Sequence, residues 1–259
     1  DNNVTRGLLN RTSTEAVHTG ILRNIAGINT ITGQIDIRNI ADNANNGFAY
    51  IGSDAGNLIL NGQIIGSRNN ATTTVTNNRF VYKTGAGTVQ TTGTTANTIT
   101  GGYYVLNGTL ELNKTAGVNA IDANIIVGDG VGGPNADRLV LLQSDQIANT
   151  RTLTVYGSGQ VAFADGVSDT TSGVITLFVD DQSGANLNYG TGSTLNNDIT
   201  VVYMPGTTSA TTGASITGTV TLPATRTFIV ADGPSENDLT VSAVISGAGG
   251  ITKGGAATT

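Results

Sequence analysis

The residues from Gly128 to Asp137 read Gly-Asp-Gly-Val-Gly-Gly-Pro-Asn-Ala-Asp and put two carboxylates, Asp129 and Asp137, with an asparagine into one glycine-rich stretch. Oxygen ligands on flexible turns suit Ca²⁺, so calcium is the one cofactor for which this chain offers a place. The stretch occurs once, without the tandem nonapeptide period of calcium β-rolls, and the same residue types make ordinary turns. The plain turn is the preferred reading, with Asp129 and Asp137 as weak calcium candidates.

Asp180-Asp181, and Asp165 with Asp169, are the other acidic groupings. Paired carboxylates can cleave glycosidic bonds, one protonating the leaving oxygen and the other acting as base or nucleophile. No basic or aromatic sugar platform accompanies them, and Asp-Asp before Gln-Ser-Gly is a common way to end a strand. His18 is the only histidine and cysteine is absent, so a nucleophilic triad or a zinc site lacks its partners. Gly85-Ala86-Gly87 is not followed by the Gly-Lys-Ser/Thr ending of a phosphate loop. The expectation is that the chain is not an enzyme. Tyr103-Tyr104 would point to opposite faces of a strand, leaving one outward ring to meet a glycan or a neighbour.

The elements that must hold these residues are strands. Glycine accounts for 36 of 259 residues, charged residues for 12%, Trp is absent and Met occurs once. Recurrent Thr, Val and Ile favour strands, Gly and Asn favour tight turns, and long helix formers are scarce. Length alone allows one domain or two. The net charge is -6, with 18 acidic against 12 basic residues and no basic stripe interleaved with aromatics, which argues against nucleic acid. No apolar run is long enough to span a bilayer, and the polar opening at Asp1 predicts no signal peptide. The lack of cysteine suits export through an oxidising compartment.

Three segments share a local pattern: 29–35, 57–66 and 238–247. In each, Asn or Asp precedes an alternating apolar strand, a small residue marks a corner, and a second short strand follows. Alternation buries one face. Further strands are expected at 20–25, 48–51, 79–82, 103–106, 125–127, 139–142, 153–156, 160–163, 174–179, 199–203, 215–222 and 227–230. Such spacing fits a sandwich, a barrel or a β-solenoid. Two observations favour the solenoid. Aromatics are only 5%, too few for the anchors of a sandwich core, and asparagine at corners can hydrogen-bond up a stack of strands spaced ~4.8 Å. A rung of roughly twenty-odd residues would give about a dozen rungs and a rod of about 50 to 60 Å. Residues 1–20 read as an irregular segment or cap and 21–259 as one continuous solenoid. The stretches 67–78 and 207–215 read as loops extruded from it.

Lys83-Thr84-Gly85-Ala86-Gly87-Thr88-Val89, with Asn97-Thr98 and Gly108-Thr109-Leu110, and Ile245-Ser246-Gly247-Ala248-Gly249-Gly250-Ile251-Thr252-Lys253, carry a resemblance. They are similar to the passenger-associated transport repeats, or autotransporter-associated β-strand repeats, of bacterial surface proteins. Lys83, Gly85, Gly87, Gly108, Gly247, Gly249 and Lys253 are the motif positions. The resemblance implies a right-handed parallel β-helix on an extracellular surface and implies no activity. It departs from the family pattern after Lys253, where the repeat is unfinished at Thr259. The resulting expectation is a non-enzymatic structural rod, associating end to end into a filament or lattice. A host- or glycan-binding adhesin is the alternative, and a carbohydrate-active enzyme is less favoured.

Overall fold

The computed structural model describes residues 22–37, 47–66, 79–169 and 173–255. His18, the segment 1–20 and the expected loop 67–78 lie outside the described residues. Among those described, no helix is assigned, and the strands wind into a β-solenoid. Successive levels add, in chain order, one strand to a ten-stranded face and one to a nine-stranded face. A third face closes each level. It is a short strand in some levels, as at Ile64–Ile65 and Thr219–Thr221, and elsewhere an extended stretch held by bonds such as Ala120 N–H to Gln146 O at 2.7 Å. Each strand pairs in parallel with its equivalent in the neighbouring level.

The local reason is period two. The strand Ile175–Val179, Ile-Thr-Leu-Phe-Val, buries its first, third and fifth residues and turns Thr176 and Phe178 outward. Because partners stay in register, inward residues stack into columns. One column runs Ala49, Val81, Tyr103, Ile125, Leu153, Ile175, Ile199, Phe228, and all of these are buried. A fully buried aliphatic side chain contributes about 1.5 to 3 kcal/mol, so the columns supply a core that needs no large anchor.

Outward residues ladder too. Arg138 donates to Gln160 at 2.8 Å, Gln160 to Asn186 at 2.7 Å, and Asn186 to the Ser215 hydroxyl at 2.7 Å. Tyr103 is buried and Tyr104 faces outward as alternation requires, but Tyr104 is not a lone ring. It stacks on Tyr82 at 4.7 Å, and Tyr82 stacks on Tyr50 at 4.8 Å.

Two expectations are corrected. Partners lie 22 residues apart at Val81 and Tyr103 but 32 apart at Ile51 and Lys83, so twenty-odd residues is the short form of a rung. Corner insertions lengthen the others. Among the described residues the longest sheet has ten strands, and nine steps of ~4.8 Å make it about 43 Å across, shorter than a dozen rungs would be. The stretch 215–222 is two strands, Ala214–Thr217 and Thr219–Thr221, because Gly218 at φ 92° turns the chain from the second face to the third.

Candidate functional site

Lys83 ends an inward series in the strand Arg79–Thr84, between Ile51 and Val105 on the neighbouring levels, and is 1% exposed. Its stem crosses apolar core and its ammonium reaches the corner beyond. There Nζ donates to the carbonyls of Gly85 at 2.5 Å, Gly87 at 2.6 Å and Asn107 at 2.5 Å. A Cβ on Gly108 would stand 2.6 Å from that nitrogen. The Lys-Thr-Gly-Ala-Gly motif is therefore a corner lock: one lysine ties its own level to the next, and the glycines leave room for it. Cβ atoms on Gly247 or Gly249 would collide with the backbone at Leu222 or Ala224, so these motif glycines serve close stacking of levels. Lys253 is exposed and pairs with Phe228, which puts it in the Val81 column, two residues short of the Lys83 position.

Asp137 faces Gly108 on the preceding level and is 1% exposed. One oxygen accepts from the Ser158 hydroxyl at 2.6 Å, and the other, Oδ1, meets no hydrogen-bond donor within bonding geometry among the described residues. Ser158 Oγ in turn accepts from the amides of Asp129 at 3.1 Å and Gly130 at 2.9 Å. Burial pushes the Asp137 carboxyl up to about 6, against the Ser158 hydrogen bond. Burial likewise pushes Lys83 down to about 7, with the Asp137 charge and the three carbonyls acting in the opposite direction. The groups around Asp137 are a hydroxyl, amides and an ammonium, which suit an anion rather than a cation. Asp129 spends Oδ1 on the Val131 amide at 2.9 Å. Among the described residues, no group of three or more metal-ligating side chains converges.

The other carboxylates also fasten turns. Asp180 Oδ1 accepts from the amides of Gln182 at 2.8 Å and Ser183 at 2.9 Å. Asp181 Oδ1 accepts from Thr208 and Ser209 one level on, both at 2.8 Å, and these amides hold its pKa below the ordinary carboxylate value. A general acid would need the opposite shift. Asp165 accepts from the Thr191 amide at 2.8 Å and is exposed. Asp169 is buried, accepts from Gln146 and Ile147 at 2.7 and 2.9 Å, and is pushed by burial to about 6. These last two do not form a pair that faces a common substrate.

What the structure does bring together are Asp129, Asp180 and Asp181, which come from two separate sequence groupings. The corners 128–136 and 204–213 are long, while 156–158 and 180–185 between them are short. The long corners wall a notch over the short ones. One side of it is an open depression of about 470 Å³ lined by the three aspartates, Tyr156, Met204 and Pro205 among others. A second, of about 430 Å³, lies against Asn135, Asn186, Thr211 and Asn237. Tyr156 was missed in the sequence, where no aromatic sugar platform was read for Asp180-Asp181. Its only signal is its place after Val155, whose register with Leu177 brings it beside the strand leading to Asp180. No family model matches the chain, and no curated protein or solved structure matches it.

Proposed function

We propose that the chain is a rigid structural segment of an extracellular bacterial surface protein of the passenger-repeat kind its motifs resemble, with a mechanical rather than a catalytic role. The observation that carries this reading is the uninterrupted inward column from Ala49 to Phe228, which makes the described chain one continuous stack. The bonding of the acidic groups agrees with it, since each aspartate considered as a catalyst spends an oxygen on backbone amides. Stiffness follows from backbone bonds repeated at every level.

Self-association would use the edges. Among the described residues, the outermost strands pair on one side only and expose Ile28 at 76% and Val244 at 65%. A second copy setting its level at Ile28 against another's level at Val244 would bury both. The test is twofold. An antibody against the 204–213 corner should label intact cells of the source bacterium, and labelling only after lysis would sink the surface assignment. Light scattering and electron microscopy of the purified chain should show end-to-end oligomers that grow with concentration, and monodisperse monomers would remove the association.

A further inference from the structure

Tyr156 follows the strand Leu153–Val155, and its ring is backed on one face by Phe178 at 4.8 Å and 17°. On the other side, register places Gly128 opposite it, with a Cβ there standing 3.0 Å from the Tyr156 Cβ. Neither Gly128 nor Gly130 has a side chain to cover the ring, which borders the depression. Asp180 lies over Gly157, where a methyl group would collide with its Oδ2, and faces Gly130. Asp129 and Asp180 are each clamped at Oδ1 by amides, and their second oxygens take no donor among the described residues. The site thus holds one rigid aromatic face and two preset acceptors.

We propose that this notch binds a neutral saccharide chain, with Tyr156 stacking on a sugar ring and Asp129 and Asp180 accepting from its hydroxyls. The chemistry selects that class. An aromatic ring offers an apolar face to sugar C–H groups, and fixed carboxylate oxygens fit paired hydroxyl donors. No cationic side chain lines either side of the notch, so sialylated or sulfated chains would be repelled. The far side, with Asn135, Asn237 and Thr211, supplies amides and a hydroxyl for further units of an extended chain. The aspartates act as positioned acceptors, with no bond cleaved. This goes beyond the rod reading and stands or falls separately from it.

The experiment is retention of the whole chain on an array of neutral, sialylated and sulfated oligosaccharides, with calcium chloride alone and oligolysine as further probes in calorimetry. Retention on neutral oligosaccharides is expected. Tyr156→Ala and Asp180→Asn are expected to weaken it by about tenfold or more, while Asp165→Asn, a turn aspartate elsewhere, leaves it unchanged. Circular dichroism and melting temperature identify any variant that fails to fold, and Asp129→Asn, at an exposed position, then takes its place. Retention confined to charged glycans, binding of only calcium or oligolysine, no retention, or equal loss in Asp165→Asn would each overturn the proposal.

Discussion

Lys83 carries its ammonium past the core to the corner, where three backbone carbonyls bind it. Such a set contributes modestly when intact and costs about 1 to 3 kcal/mol when a buried acceptor is left without its donor. Lys83→Met keeps the stem and removes the donor, so it is expected to lower the unfolding free energy by about that amount, seen as a lower urea midpoint at unchanged m-value. Asp137 and Asp169 are raised to about 6 by burial, against ~3.9 in an unfolded chain. The folded state therefore holds more protons between those values, and the stability these groups add is full below about pH 4 and lost as pH rises through 6. Lys83, lowered to about 7, stays protonated in both states over that window and adds no slope. Asp54, hydrogen-bonded to Arg23, and Asp181 are lowered, so they act in the opposite sense, at and below the acid end of the window. The melting temperature should be higher near pH 4.5 than near pH 6. Asp137→Asn combined with Asp169→Asn should flatten that difference, and an undiminished difference would show that other groups produce it.

At the scale of the element, corners decide what a level can hold. Gly85 turns at φ 76° with no space, since a Cβ would meet the Ser53 carbonyl, whereas Gly117 turns at φ 81° with nothing within 4 Å. Gly117→Ala is expected to cost about 1 to 2 kcal/mol from the left-handed backbone alone. Gly85→Ala should cost clearly more because levels must also separate, and equal melting shifts would contradict the close-stacking role. Strands were legible where alternation was strong, as in Ile175–Val179, and illegible where polar residues fill outward positions. Asn186–Asn188 is a strand with Leu187 as its only inward residue, and its amides belong to a ladder that only the stacked neighbours reveal. The Lys83 motif was readable as a repeat, but its lock was not, because Asn107 comes from the following level. The notch was hidden for the same reason. Asp129, Tyr156 and Asp180 meet through register and through unequal corner lengths, neither of which a local pattern encodes.

Across the whole molecule, each level touches chiefly its neighbours, so stability is a sum of rung and interface contributions rather than the property of one central core. A truncation in a middle level breaks contacts on both sides. Leu177 is 0% exposed, and Leu177→Ala is expected to cost about 2 to 5 kcal/mol. Val241, 37% exposed on an outer level, should lose less than about 1 kcal/mol when changed to Ala. The same logic orders local opening. Amides of the middle strands Leu153–Val155 and Ile175–Val179 have a bonded level on each side, while Leu22–Asn24 and Ile251–Gly254 have one among the described residues. Opening an outer level exposes one interface, and opening a middle level exposes two. Native-state hydrogen exchange should therefore give protection that rises from both outer levels toward the middle of the stack. Uniform protection along the column from Ala49 to Phe228 would mean that the levels unfold as one unit, and the additive account of this rod would have to be abandoned.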